Sequence, residues 1–346
     1  MRRPVLSVCI PTYNRGEELA ARVRAWLAAE DSDGLEVVVA DNASTDGTEA
    51  AFAALADPRL VYCRNERNVG AFENQLRAFA AAHGTWLMQL TDKDEILPPA
   101  FPAARAALTG LRAACGSFRL VRGADEPADG SVETYSGASA YARFGLAYAH
   151  PSGRFFRSDV LADGAVLAEL RALDEVIRPY STDYLTSLCL RAGAYARIDV
   201  PLVRHNLPPY GAGRKSVSYV TRKDYYFTPE FVVREFAEYL RFLRTSTRLS
   251  SLARGCAVAG LVRRALFPRM TETYRWALGD DAVCAWYGVP DDLRRSEGAR
   301  DLEGDFTGAV RSLAASAGAV DAVALRLGAF GCRRAIARQR RKNEAK

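Results

Sequence analysis

Trp86-Leu87-Met88-Gln89-Leu90-Thr91-Asp92-Lys93-Asp94-Glu95-Ile96-Leu97-Pro98 is the stretch on which the fold turns. Apolar residues run directly into Asp92, Asp94 and Glu95, and Ile96-Leu97-Pro98 closes the segment. A buried strand that ends in carboxylates puts negative charge at the carboxyl edge of a sheet, where open α/β sheets hold their ligands. Two aspartates one residue apart can bind a hard divalent cation and, through it, the phosphates of a nucleotide.

The residues upstream make this strand the fourth of a series. Residues 5–10 are apolar and β-rich, and Pro11-Thr12-Tyr13-Asn14 reads as the turn that stops them. From Glu17 onward, Leu19, Val23, Trp26 and Leu27 recur on one helical face. Residues 35–40 form a second buried strand, followed by 41–48, dense in turn and cap formers, with Ser44 and Asp46 as helix caps. A helix over about 49–55 and a strand over 60–63 come next. The polar loop 65–70 precedes a helix marked by Phe72, Leu76, Phe79 and Ala80, which ends near Gly84 with His83 as its cap. Strands alternating with helices over short connections predict a parallel sheet covered on both faces.

Downstream the pattern loosens. Residues 117–121 and 131–135 read as strands, 183–192 as a helix, and 195–203 as a strand with Pro201 at its edge. Residues 206–216 have loop composition, and beyond about Tyr225 the chain is rich in Ala, Leu and Arg and reads as helical. The expected division is a domain over 1–218, with halves 1–100 and 101–218, and a helical region over 219–346. The boundary is placed between 215 and 225.

With 346 residues, 49% of them hydrophobic, the chain can bury a large core and a smaller one. The net charge of +6 suits phosphate-bearing ligands, a membrane surface or nucleic acid; the absence of a reader motif sets nucleic acid aside. Seven scattered cysteines without a Cys-x-x-Cys pair argue against a disulfide framework or zinc site and for a cytoplasmic location. No apolar run reaches the roughly 18 residues of a membrane span, and no secretion signal follows Met1-Arg2-Arg3-Pro4. The expected protein is soluble, or peripheral on a membrane face.

The first two thirds of the chain resemble the family 2 nucleotide-sugar glycosyltransferases. The matching residues are Ser7-Val8-Cys9-Ile10-Pro11-Thr12-Tyr13-Asn14-Arg15, then 38–48 (Val-Val-Ala-Asp-Asn-Ala-Ser-Thr-Asp-Gly-Thr), Asn68-Val69-Gly70 and Asp92-Lys93-Asp94. Ser152-Gly153-Arg154-Phe155-Phe156-Arg157, Thr182-Asp183-Tyr184 and residues 193–205 follow in the right order and spacing. The resemblance implies a GT-A fold, α/β and Rossmann-like, with a mostly parallel central sheet, helices on both faces and, here, a C-terminal helical subdomain. It also implies transfer of a sugar, with inversion, from a nucleotide-diphosphate sugar to a hydroxyl of a glycan or lipid-linked acceptor. The implied cofactor is Mg²⁺ or Mn²⁺, and the implied setting is bacterial surface polysaccharide assembly.

The same resemblance assigns residues. Pro11, Thr12, Tyr13 and Asn14 line the nucleotide pocket, with Tyr13 near the base and Thr12 near the ribose or phosphates. Asp41 meets the base edge or ribose hydroxyls; an ionised carboxylate only accepts hydrogen bonds, which suits either. Asn68 and Gly70 complete the donor pocket, the glycine permitting close backbone approach. Asp94 is the main metal ligand, Asp92 bridges ribose and metal, and His205 completes the metal site. Lys93 departs from the usual small or acidic middle residue, and either points away from the cation or replaces part of its charge. Asp183 fits the carboxylate that deprotonates the acceptor hydroxyl, although Thr182 stands where Glu is usual and the position also suits a helix cap. His150, Ser152, Gly153 and Arg154 fall on the acceptor side. Arg214 and Lys215 lie on a loop that either closes over the diphosphate or serves as a linker.

Residues 332–346 carry Arg333, Arg334, Arg338, Arg340, Arg341, Lys342 and Lys346 against a single Glu344, behind an apolar stripe of Leu313, Val320, Val323, Leu327 and Phe330. The helices read as a subdomain packed on the core or a homodimer contact, and the basic end as solvated or held to an anionic membrane. Lys93 and Thr182 keep open an alternative, a catalytically impaired nucleotide-sugar-binding protein of the same fold. A sugar-1-phosphate nucleotidyltransferase would need a Gly-rich phosphate loop, which Pro11-Thr12-Tyr13-Asn14 is not.

Overall fold

The computed structural model describes residues 3–121, 128–147, 150–162, 164–173, 178, 181–206, 228–281, 284, 294 and 300–344, with side chains through Cys332. The boundary expected at 215–225 and the loop bearing Arg214 and Lys215 fall outside these residues.

Strands β1 (Leu6–Thr12), β2 (Leu35–Asp41), β3 (Leu60–Arg64) and β4 (Trp86–Gln89) alternate with helices α1 (Gly16–Ala28), α2 (Thr48–Ala53) and α3 (Ala71–Ala80). They pair in parallel in the order β3-β2-β1-β4. The helical period of α1 buries Leu19, Val23, Trp26 and Leu27 against the sheet core, each such side chain contributing roughly 1.5–3 kcal/mol when fully buried. β1 runs through Pro11 instead of stopping before it. Its pairing with β4 ends at Cys9, so Pro11 sits where one side of the strand has no neighbour and a missing N–H is tolerated.

Beyond β4 the sheet becomes mixed, with nine strands among the described residues. The later strands are β5 (Glu95–Ile96), β6 (Cys115–Val121), β7 (Val132–Tyr135), β8 (Arg154–Arg157) and β9 (Tyr195–Arg204). β8 lies antiparallel between β4 and β6. β6 then pairs in parallel with β9, whose other partners β5 and β7 are antiparallel. Pro201 falls where the β6–β9 register shifts between Phe118 and Leu120. Helices α4 (Phe101–Leu108), α5 (Gly137–Ala140), α6 (Ser158–Ala162), α7 (Gly164–Arg171) and α8 (Ser181–Cys189) complete this part of the chain.

Gly116 in β6 faces the Ala196 carbonyl and the Phe155 ring so closely that a Cβ would overlap both. Gly116→Ala is therefore expected to destabilise by about 1–3 kcal/mol. The change would show as a lower urea midpoint at constant slope; an unchanged midpoint would mean that the β6–β9 contact yields.

The chain divides into two compact units, Met1–Ser136 with Ala149–Asn206, and Gly137–Tyr148 with Leu207–Lys346. The whole sheet belongs to the first. In the second every described element is helical, the longest being Pro229–Ser246, Ser251–Leu261, Leu302–Ser316 and Ala319–Glu344. Side-chain oxygens of Thr228, Ser250 and Asp301 cap three of these helices. All seven cysteines are free thiols. Among the described residues no helix is long and apolar enough to cross a membrane.

Candidate active site

β4 ends at Gln89, and Asp92 and Asp94 occupy the turn between it and β5. Sheet register decides what that turn meets. Because Glu95 pairs with Arg204, Asp94 lies beside His205. Because Met88 pairs with Phe155, the turn faces the residues that precede β8, namely His150 to Gly153. Asp94 is fully buried. Its Oδ1 contacts His205 Nδ1 at 2.7 Å and accepts from the Asn206 backbone N–H at 3.1 Å. Its Oδ2 accepts from the hydroxyls of Thr91 at 2.8 Å and Ser152, with His150 Nδ1 at 3.4 Å. Burial alone would raise the carboxyl pKa, but the bond to His205, the charge of His150 and the two hydroxyls together hold it below its ordinary value.

Asp92 has a different environment. Its Oδ2 accepts from Thr12 Oγ1 at 3.2 Å and faces Arg15 Nε at 3.5 Å. Burial dominates there and raises its pKa, with Arg15 and Thr12 opposing only in part. The two aspartates are thus pushed in opposite directions, a pattern common where neighbouring carboxylates have separate tasks. Among the described residues, Asp94, His150 and His205 form a group whose ligand atoms lie within 4.8 Å of one another; Asp92 is not a member. The imidazoles of His150 and His205 stand 4.0 Å apart, centroid to centroid. The register of β8 brings His150, expected on the acceptor side, next to Asp94.

One residue that holds this turn was not legible from the sequence. Arg22, on α1, donates to the carbonyls of Asp92 at 2.6 Å, Lys93 at 2.9 Å and Asp94 at 3.1 Å. The rigid guanidinium fork addresses these carbonyls from two separate nitrogens, Nη1 and Nη2.

The carboxyl ends of β1 and β2 carry the other expected donor residues. Thr12 is buried and Tyr13 exposed. Asn14 has φ +55°, and its Oδ1 accepts from the Thr45 N–H at 2.8 Å while its own N–H reaches Ser44 Oγ at 2.9 Å. Asp41 is fully buried: Oδ1 accepts from the Ser44 N–H and hydroxyl, and Oδ2 from Tyr62 at 2.7 Å with Arg64 at 3.5 Å. Ser44 braces the β1 and β2 loops, and Asp46 accepts from the Thr48 N–H in the first turn of α2. Asn68 accepts from Asn42 at 2.8 Å and from the Gly70 N–H at 2.9 Å. Asn42 in turn accepts from Asn65 and the Val69 N–H, and Asn65 donates to Asn74. Asn74 donates to the Ala40 carbonyl at 2.8 Å. This relay of four amides fixes the loop holding Asn68 and Gly70 to the sheet edge.

Asp183 lies in the first turn of α8, 3% exposed, with Oδ1 3.2 Å from Arg154 Nη2. Arg154 also donates to Thr186 Oγ1 at 3.2 Å. Thr182 donates to Gln89 Oε1 at 2.9 Å, which ties the start of α8 to the end of β4. Gly153 has φ +84° and donates its N–H to the Gln89 carbonyl. Ser152, besides its bond to Asp94, accepts from the Thr91 N–H at 2.9 Å. His83, expected as a helix cap, binds Glu36 through both its backbone N–H and Nδ1 at 2.8 Å, at the opposite end of the sheet.

A nine-stranded α/β sheet whose parallel half ends in this acidic turn, with helices around it and more at the C-terminus, is a GT-A architecture. Residues 7–163 match the sequence model of glycosyl transferase family 2. Among curated relatives it is 35% identical over 86 residues to abequosyltransferase RfbV of Salmonella typhimurium, covering 24% of this chain and 26% of that protein. It is 32% identical over 95 residues to the succinoglycan biosynthesis protein ExoO of Rhizobium meliloti, covering 28% and 27%. The matches to curated relatives span between 26% and 34% of those proteins' own length. The crystal structure of S. aureus TarS 1–349 in complex with UDP-GlcNAc superposes with a TM-score of 0.56 at 16% identity, over 96% of this chain and 92% of that one. That likeness is one of fold.

Proposed function

We propose that the protein transfers a sugar, with inversion, from a nucleotide-diphosphate sugar to a hydroxyl of a glycan or lipid-linked acceptor, in the assembly of a bacterial surface polysaccharide. The observation that carries this reading is the gathering of Thr12, Asp92, Asp94 and His205 at the carboxyl ends of β1 and β4. The match of residues 7–163 to the family 2 model supports it, as do relatives named for sugar transfer and polysaccharide biosynthesis.

The residues present fit a divalent cation: one buried carboxylate held ionised and two imidazoles converge on one point. Nitrogen donors suit Mn²⁺ better than Mg²⁺, which prefers an all-oxygen shell. Asp94, His150 and His205 would hold the ion, which when bound would neutralise charge developing on the departing diphosphate. Thr12, Tyr13, Asn14, Asp41, Asn68 and Gly70 line the nucleotide side, where Asp92 is positioned to accept from a ribose hydroxyl. Asp183 takes the proton of the acceptor hydroxyl as its oxygen displaces the diphosphate at the anomeric carbon, the bonding pair leaving with the diphosphate.

One observation favours a second reading, donor binding without transfer. Asp183 is nearly closed off and one of its oxygens is engaged by Arg154. A thermal-shift series with UDP, GDP, CDP and dTDP, each with and without Mn²⁺, tests the donor site. One nucleotide is expected to raise Tm, and more so with Mn²⁺, because a ligand stabilises the fold it binds. No shift with any nucleotide would overturn both readings. Binding without hydrolysis or transfer of the matching sugar donor would select the second.

A further inference from the structure

The helix Ala319–Glu344 has two unlike faces. One is seated within its own unit: Leu325 and Asp321 are fully buried, as are most of Ala324, Ala329 and Cys332. Asp321 pairs with Arg254 at 3.0 Å, and Gly328 lies so near Val262 that a Cβ would come within 2.7 Å of Val262 Cβ. The other face carries Val320, Val323, Leu327 and Phe330, spaced three, four and three residues apart. Val323, Leu327 and Phe330 are 54%, 62% and 58% exposed. The sequence that follows includes Arg334, Arg338 and Arg341. An exposed apolar stripe is therefore followed directly in the sequence by a run of cationic residues.

The charge on this end is concentrated. Residues 333–346 hold seven Lys and Arg against one Glu, which accounts for the entire net charge of +6, so the remainder of the chain is balanced. An occupant of this face must offer apolar contact beside dense negative charge. A second copy offers the apolar stripe, but the acidic residue of this helix's first turn, Asp321, is already buried on Arg254. Parallel association would set two cationic ends side by side. A bilayer containing anionic lipid supplies both requirements at once, with acyl boundary for Val323 and Leu327 and headgroup charge for the arginines.

We propose that this face is a docking surface for an anionic lipid bilayer, on which the protein lies without spanning it. The test is co-sedimentation of the full chain with vesicles of phosphatidylcholine alone or mixed with phosphatidylglycerol. Binding is expected to the mixed vesicles only, at least about tenfold tighter than to phosphatidylcholine, and to weaken as salt rises. Val323→Ser/Leu327→Ser removes apolar contact without adding charge and should weaken binding about tenfold. Arg334→Gln/Arg338→Gln/Arg341→Gln should weaken it on the order of a hundredfold at low salt and flatten the salt dependence. Circular dichroism and nucleotide binding of both variants should match the unsubstituted protein. Equal binding to both vesicle types, or no loss in the serine variant, would overturn the proposal. So would a concentration-dependent dimer that the serine substitutions dissociate while vesicles remain unbound, since the face would then belong to a second copy.

Discussion

Replacing Asp94 with asparagine is expected to abolish Mn²⁺ binding and to lower sugar transfer about a thousandfold, the several kcal/mol that a Lewis-acid cation contributes to such a displacement. The substitution keeps side-chain volume and removes charge, so it separates packing from chemistry. The carboxylate now accepts from the Asn206 N–H, Thr91 and Ser152 and faces both histidines. An amide offers one accepting oxygen and an NH₂ group in place of the second. The Asn206 N–H cannot rotate away as a hydroxyl can, so the amide must turn its oxygen there and present NH₂ to Thr91, Ser152 and His150. A loss of about 1–3 kcal/mol in stability should accompany the change, leaving a folded protein for assay. Free Mn²⁺ measured by electron paramagnetic resonance reads the affinity directly. An affinity equal to that of the unsubstituted protein would remove Asp94 from the metal site.

The second large effect is expected at Asp183. Asp183→Asn should lower transfer by about 10²–10⁴, the usual worth of a positioned base, and leave nucleotide affinity nearly unchanged. It should also destabilise by about 3–5 kcal/mol, because Arg154, only 3% exposed, loses the partner that compensates its buried charge. A structural role alone would produce that second loss and slow the assay indirectly. The double change Asp183→Asn/Arg154→Met separates the two, since replacing a buried ion pair with neutral groups of similar size is often nearly neutral. Urea denaturation should show most of the stability recovered in the double variant while turnover stays low. Turnover that returns together with stability would make Asp183 a structural residue and leave the base to be found elsewhere.

The parallel half of the sheet was readable because each of its strands is a short apolar run ending in Pro, Asn or Asp, with a helical period between runs. The mixed half was not. β8 has four residues with arginine at both ends, and β5 has two residues, so neither offers a period to detect. Pro11 was misleading as a strand stop because tolerance of proline depends on which neighbour ends where, a tertiary property. At the site, the acidic pair and His205 stood out by type and order, whereas His150 reaches Asp94 only through β8 pairing with β4. Arg22 reaches its carbonyls across some seventy residues of chain, and nothing in its helical context, one of two arginines on α1, distinguishes it. Asn42, Asn65 and Asn74 read individually as turn residues or a polar helix position; only the fold makes them a relay.

Asn42, Asn65, Asn68 and Asn74 bond to one another and to main-chain groups through amides that carry no charge and no titratable proton. The relay itself therefore holds no titratable group, although the charged Arg77 donates to Asn65 Oδ1 at 2.9 Å. The neighbouring turn instead gathers the charged Asp92, Asp94 and Arg15 with His150 and His205. The loop bearing Asn68 and Gly70 and the acidic turn are thus held by different chemistry, amide hydrogen bonds in the first and ionic contacts in the second.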